Sequence, residues 1–328
     1  MSLNSRIEDL WWSHRRPPLA LRLLEPIYSF ISDRHLQQRA KNPITPPLPL
    51  ISVGNITAGG SGKTPFVLWL AEALQKKGYH PVILCRGDGG NNSVPRHVDP
   101  ELSAIEAGDE ARMLADLSGL PVITASDRIT GSQMAAELGD IIILDDGFQY
   151  RHLQRECDIV LIPAEGVGNA HRIPAGPLRE AVDTLDRADL VIRTGDFHAI
   201  SHSLPLSDQH EWRWISQSDG LIDVMDKHTI APESVYAATS IARPTRFFDS
   251  LVKYGLKLTA TRSFPDHHQF TEQEVNQLLN QQHVAVTAKD AVKLKPLWPK
   301  GKPLWVLTLT GEGEPDLLEA ILKYISKA

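Results

Sequence analysis

Between Leu50 and Gly78 the chain reads LISVG, NITAGGSGKT, PFVLWLAEALQKKG, and no other stretch limits the possible folds as strongly. An apolar β-rich run, a glycine-rich loop and a segment with helically spaced apolar residues give strand, loop and helix in that order. A loop in this context wraps phosphate. Backbone N–H groups from Thr57, Ala58, Gly59, Gly60, Ser61, Gly62, Lys63 and Thr64 can turn inward, and the helix N-terminus adds favourable partial charge. In such a loop Lys63 reaches the β- and γ-phosphates of a nucleotide and the Thr64 hydroxyl holds Mg²⁺. Thr57 stands where the pattern G-x-x-x-x-G-K-[ST] has its first glycine, but Gly54, Gly59, Gly60 and Gly62 still let the backbone come close. Pro65 falls in the first helical turn, where a missing N–H costs little. The alternative is an ordinary glycine-rich turn.

Further apolar runs follow: PVILC (81–85), PVITA (121–125), DIIILDD (140–146), DIVLIP (158–163) and DLVIRT (189–194), with helical segments near 108–117 and 127–138. Short, almost wholly apolar strands alternating with helices predict an α/β fold, a P-loop-type, mostly parallel sheet covered on both faces. HEWRWIS and LIDVM, separated by QSDG, read as a β-hairpin that interrupts the alternation and links to a second, smaller α/β domain. There the helix opened by TEQE (271–274) carries a capping box. The expected division is a basic amphipathic segment at 1–45, a P-loop core at 46–208, and the smaller domain, hairpin included, at 209–328.

A chain of 328 residues, 42% hydrophobic and 23% charged, can bury a large core and is not disordered. Its net charge of -6 argues against a nucleic-acid partner. The two cysteines, Cys85 and Cys157, form no C-x-x-C pair, which excludes a disulfide scaffold or zinc ribbon. No apolar run is long enough to span a bilayer and no cleavable leader is evident, so the protein is expected on the cytoplasmic side. Residues 1–45 differ from the rest. They mix Arg6, Arg15, Arg16, Arg22, Arg34, Arg39 and Lys41 with Trp11, Trp12, Leu23, Leu24, Ile27, Phe30 and Ile31, as a membrane-surface helix does. Packing against the rest of the protein would cover the same side chains.

Asp145 and Asp146 end an apolar strand, where a Mg²⁺-associated acid belongs in a P-loop protein. A guanine-reading N/T-K-x-D segment is missing, since TAKD (287–290) has its lysine one place late, and this favours ATP over GTP. RGDGG (86–90), with Arg86 and Asp88, follows a strand end, where ligands sit in open α/β sheets. AGDEAR (107–112) reads as a helix start with Asp109 as a cap. PAGPLRE (174–180) offers Arg179 as a phosphate clamp with Glu180 as its partner; a surface turn is the plainer reading. In PDHHQF (265–270) the two histidines are a structural pair or part of a site.

GNITAGGSGKTP, LCRGDGG, AGDEAR, LDDGFQYRHL, PAGPLRE, IARPTRFFDSL, FPDHHQF and TAKDAVK together resemble, in order and over nearly the whole chain, the tetraacyldisaccharide 4'-kinase family of Gram-negative bacteria. The resemblance implies transfer of the γ-phosphate of ATP to the 4'-hydroxyl of an acylated glucosamine disaccharide 1-phosphate. The product would be lipid IVA, on the route to lipid A. It also implies a peripheral location on the cytoplasmic face of the inner membrane, with no obligatory protein partner. Carried over, Lys63 and Thr64 hold nucleotide and Mg²⁺, and Asp145 and Asp146 serve the metal and the catalytic centre. Asp109, assisted by His267, deprotonates the acceptor hydroxyl, while Arg86, Asp88, Arg179 and Glu180 shape the substrate site. Asp109 and His267 fall on different expected domains, so they would meet across a cleft whose closure excludes water. The chain departs from the family pattern at Cys85 and Asp88, at Ala111 after GDE, and at Ala288 in TAKD. A membrane-associated P-loop ATPase switch, acting on a protein partner, would share the loop and the LDD strand but would not need GDE or FPDHH.

Overall fold

A computed structural model describes residues 3–13, 15–87, 90, 94–195, 210–226, 230–266 and 268–325, with side chains from residue 7 onward. The chain begins with helices α1 (Leu3–Trp11) and α2 (Leu19–Arg39), then strand β1 (Leu50–Gly54), α3 (Lys63–Lys76) and β2 (Pro81–Cys85). Next come β3 (Arg96–His97), α4 (Ala104–Ala107), α5 (Asp109–Ser118), β4 (Val122–Thr124), α6 (Arg128–Ala135), β5 (Ile141–Asp145), β6 (Cys157–Pro163) and β7 (Leu190–Thr194). The remainder is β8 (Glu211–Asp223), β9 (Ser234–Thr239), α7 (Pro244–Lys253), β10 (Lys257–Ser263), α8 (Glu272–Leu279), β11 (Val284–Val286), α9 (Ala288–Leu294), β12 (Trp305–Gly313) and α10 (Leu317–Ile325).

Two compact units result, and neither is continuous in sequence. The first contains Met1–Arg86, Asp127–Ser216 and Gly311–Ala328; the second contains Gly87–Ser126 and Gln217–Thr310. In the first, strands run β7-β6-β1-β5-β2, all parallel, with the start of β8 parallel to β7. Every residue of β1, β2, β5, β6 and β7 is buried, as expected of strands covered on both faces. Their apolar side chains stabilise the sheet by about 1.5 to 3 kcal/mol each when fully enclosed. The second unit has its own parallel strands β10-β9-β11-β12 and a short antiparallel pair, β3 with β4.

The expected hairpin is absent, since residues 211–223 form a single strand. QSDG stays extended because the antiparallel partner of β8 is the distant β12. Glu314 N–H donates to Arg213 O at one end, and Val224 N–H donates to Leu304 O at the other. Thr308 Oγ1 also donates to Gly220 O, so the stretch expected to turn is held within a ladder.

Helix α2 is fastened within the first unit by polar contacts. Glu25 accepts from the Arg172 amide at 2.7 Å and faces His171 Nδ1 at 2.9 Å, while the Arg172 guanidinium forks onto Asp33 at 2.7 and 2.8 Å. Trp11 Nε1 adds a bond to Pro174 O. Leu19, Leu23, Leu24, Ile27, Phe30 and Ile31 of α2 are exposed and not covered by the described residues. No helix among the described residues is long and apolar enough to cross a membrane.

Candidate functional site

The glycine loop joins β1 to α3 at the carboxyl end of the first unit's sheet. Val53 pairs with Asp145 on one side and Ile159 on the other, which sets the end of β5 beside the start of the loop. Gly54 lies so close to the next segment that a Cβ there would come within 2.5 Å of Phe148 Cβ. Gly59 and Gly62 have φ of 92° and 79°, a left-handed conformation that glycine adopts without strain, and Gly62 caps α3. Asn55 secures the loop from inside, donating to Thr57 O at 2.7 Å and Ser61 Oγ at 2.9 Å. Thr194 Oγ1 holds Ser61 O at 2.7 Å. The PAGPLRE stretch braces the other side: Ala58 N–H donates to Pro177 O, and Arg179 N–H to Ile56 O. Thr57 is wholly buried, so its side chain takes up core volume beneath the loop.

Asp146 lies at the centre of the charge around this loop. Its φ of 53° is left-handed, which turns it out of the strand direction. Lys63 Nζ stands 3.3 Å from one oxygen and Arg179 Nη1 3.0 Å from the other. Burial opposes ionisation, but Lys63 and Arg179 outweigh it and hold this carboxyl well below the usual carboxylate range. Arg128, buried with its guanidinium 4.7 Å from the Tyr150 ring, is electrostatically coupled to Arg86 and Asp146. Asp145 is buried at the end of β5, and Thr64 occupies the first turn of α3.

Glu180 is not the partner of Arg179. It is buried at 1% exposure, and it takes Arg151 in a short ion pair, Gln149 Nε2 at 2.9 Å and Arg187 at 3.5 Å. Gln149 Nε2 also donates to Asn55 O at 2.9 Å, which ties Glu180 into the base of the loop. Arg179 instead joins Asp146. None of Asn55, Arg128, Gln149 and Arg151 is expected at the site from the sequence. Gln149 and Arg151 do follow LDDG directly in LDDGFQYRHL, while Arg128 carries no motif.

The second unit holds a separate cluster around Asp109. Gly108, with φ of 90°, ends α4 and caps α5, so Asp109 is the first helical residue rather than the cap. Its Oδ1 accepts from Glu110 N–H at 3.2 Å, and its Oδ2 faces Lys293 Nζ at 3.9 Å and Lys289 Nζ at 4.0 Å. Gly90 of RGDGG abuts the preceding turn, where a Cβ would lie 2.5 Å from Glu106 O. Asp109 and the PDHHQF segment belong to one unit, where the sequence reading has them on different domains. His267 and Asp88 lie outside the described residues. His268 is a packing residue, stacked on Phe264 and bonded through Nε2 to Glu274 at 2.9 Å. The Thr271 amide and His268 hold Glu274 down at about 2, within the expected capping box.

The family model described as tetraacyldisaccharide-1-P 4'-kinase matches residues 18–326. A tetraacyldisaccharide 4'-kinase of Alcanivorax borkumensis is 33% identical over 98% of this chain and 97% of its own length. Another, of Parvibaculum lavamentivorans, is 37% identical over 87% of this chain and 85% of its own. Among solved structures, a crystal structure of an "apo" form of LpxK from Aquifex aeolicus in complex with ATP superposes with a TM-score of 0.77. It is 27% identical and the match covers 93% of this chain and 98% of that one. A P-loop unit with Lys63, Asp146 and Arg179 in contact, a GDE helix start and a family match across almost the whole length lead to one conclusion: the chain belongs to the tetraacyldisaccharide 4'-kinase family.

Proposed function

We infer that this protein transfers the γ-phosphate of ATP to the 4'-hydroxyl of a tetraacyldisaccharide 1-phosphate, a step of lipid A synthesis. The observation that carries the reading is the Lys63–Asp146–Arg179 cluster at the mouth of the glycine loop, within a chain of this family. Phosphoryl transfer asks chiefly for positioning and charge neutralisation around a loose transition state. Lys63 and Arg179 supply positive charge for the transferred group, and Asp146 keeps both side chains oriented until phosphate oxygens replace it. Gly59 faces open space, since a Cβ there would meet nothing within 4 Å.

The donor set also fits Mg²⁺. Asp145, at the end of the strand paired with β1, and the Thr64 hydroxyl, in the first turn of α3, are hard oxygen ligands, and Mg²⁺ is usually held by one or two such groups with phosphate oxygens and water. When bound there, the cation would neutralise developing charge on the β- and γ-phosphates. On the second unit, Asp109 acts as the base that takes the proton of the acceptor hydroxyl, with His267 assisting. Arg86, Asp88 and Glu180 shape the substrate site, Glu180 through Arg151 and Gln149.

The exposed apolar side chains of α2, with Arg22, Arg34 and Arg39 on the same helix, suit the headgroup region of a bilayer. The protein would then sit peripherally on the cytoplasmic face of the inner membrane, where its lipid acceptor resides. The test is incubation with labelled ATP, Mg²⁺ and detergent-dispersed tetraacyldisaccharide 1-phosphate. A lipid bearing one more phosphate is expected. ATP hydrolysis by a folded preparation that leaves the lipid unmodified would overturn the reading.

A further inference from the structure

We propose that Lys289 and Lys293, one turn apart on α9, are positioning residues for Asp109, two ammonium groups that place positive charge against its Oδ2 and hold the carboxylate in place. The proposal rests on the reading of Asp109 as the base. It gives a task to TAKDAVK, whose residues the nucleotide loop does not use.

Lys293 is almost enclosed, with 3% of its side chain exposed, and an ammonium tolerates such a place only when it is paired and hydrogen-bonded. It donates to Ser240 Oγ at 2.7 Å and His268 O at 3.0 Å, and lies 3.4 Å from Asp290 Oδ1 and 3.9 Å from Asp109 Oδ2. One side chain thus touches the end of β9, the PDHHQF segment, its own helix and the start of α5. Asp290, fully buried, does not absorb that charge alone. It also takes Thr239 Oγ1 at 2.8 Å, the Ser240 amide at 3.0 Å, Thr287 Oγ1 at 2.7 Å and the Ser240 hydroxyl. With these donors satisfying Asp290, part of the Lys293 charge acts on Asp109.

Lys289 approaches from the adjacent turn, 4.0 Å from the same Asp109 oxygen and 3.0 Å from Glu110. Burial pushes this ammonium down, but Glu110 and then Asp109 outweigh it and hold it above the ordinary lysine range. Glu110 is 42% exposed, so water shares its charge, whereas Asp109 is only 5% exposed. Asp266 acts on Lys289, and Glu106 of α4 is turned to its own Ser103 cap. A carboxylate enclosed this fully needs opposite charge close by, and two ammonium groups within about 4 to 6 Å provide it. A base must meet its substrate at a fixed position, and the lysine pair faces the carboxylate oxygen that would do so. The oxygens of Asp109 divide the work. Oδ1 is fixed by the Glu110 amide, and Oδ2 faces the two cations.

The experiment is a pH–rate profile of kcat/KM for the lipid acceptor at saturating ATP, for the full-length protein and for Lys289→Met, Lys293→Met, Lys289→Arg and Asp109→Asn. The acid limb is expected to move upward by about one unit in Lys289→Met and further in Lys293→Met, with KM for ATP within about twofold. Lys289→Arg should bring the limb back. A folded Lys289→Met or Lys293→Met variant with reduced kcat and an unmoved limb would overturn the proposal, because a merely structural lysine changes rate without changing the proton balance. Where Lys293→Met does not fold, by its thermal midpoint, the limb of Lys289→Met decides alone. Retention of full activity by Asp109→Asn would sink the base assignment itself, a different result from an inactive Asp109→Asn beside unmoved lysine limbs.

Discussion

Asp146 in the first unit and Asp109 in the second are each faced by two cations, and distance separates their chemistry. Arg179 and Lys63 touch Asp146 at 3.0 and 3.3 Å, whereas Lys293 and Lys289 stand 3.9 and 4.0 Å from Asp109. Hydrogen-bonded pairing commits a carboxylate to its partners, as at Asp146, whose proton affinity falls far below normal. Cations slightly farther away bias the charge while remaining outside hydrogen-bond reach of the oxygen. The first arrangement suits an anchor that phosphate displaces. The second suits a group that must accept a proton during turnover.

Asp109→Asn carries the largest expected effect, a fall in kcat of about 10²- to 10⁴-fold with KM for ATP nearly unchanged, measured by lipid phosphorylation. Asparagine keeps the size and the Glu110 contact but cannot take the proton. Lys63→Ala follows, with about a 10²- to 10³-fold loss and weaker ATP binding, measured by kinetics and nucleotide titration. The comparison breaks if the effects trade places, with Lys63→Ala leaving ATP affinity intact and Asp109→Asn abolishing it.

The nucleotide loop was legible because its information is local. LISVG, GGSGKT and the helix after it fold over one short stretch, and DIIILDD is apolar until it reaches its two acids, so β1, α3 and β5 appear where the pattern puts them. What the sequence concealed is long-range. Glu180 looks like the neighbour of Arg179, yet its partners are Gln149, Arg151 and Arg187, because the chain direction at 179–180 turns the two side chains to different sides. QSDG has turn composition, but the ladder with β12 outweighs local preference. Nothing local marks Lys293 as buried, and it is packing against α5 and β9 that encloses it.

Glu180→Gln sharpens the contrast with a third carboxylate, one buried and paired with Arg151 and Gln149. Its charge offsets Arg151 within a closed site, and removing one member of a buried pair typically costs about 3 to 5 kcal/mol. The denaturant midpoint should drop, while activity per folded molecule falls by less than about tenfold. A loss of 10²-fold or more without a drop in stability would show that Glu180 acts on substrate directly rather than through Arg151 and Gln149.

The smallest effect concerns Asp158, at the start of β6, where one cation meets a like charge. Arg155 lies 3.0 Å away, but Asp189 accepts from the Asp158 amide at 2.7 Å, and burial dominates, pushing the Asp158 carboxyl up to about 6. Two close cations overcome burial at Asp146; one cation with a neighbouring carboxylate does not at Asp158. Because the folded value lies above the ordinary 3.8, the native chain keeps this proton while the unfolded chain loses it. Stability is therefore fully present below about pH 4, declines as pH rises to about 6, and levels beyond it, a change on the order of 2 to 3 kcal/mol. Asp158→Asn should flatten that decline in chemical denaturation between pH 4 and 7. Some slope will persist, since burial raises Asp189 in the same direction. A decline of undiminished steepness in Asp158→Asn would mean that Arg155 keeps Asp158 ionised, and that a single cation is enough to hold a carboxylate charged in this core.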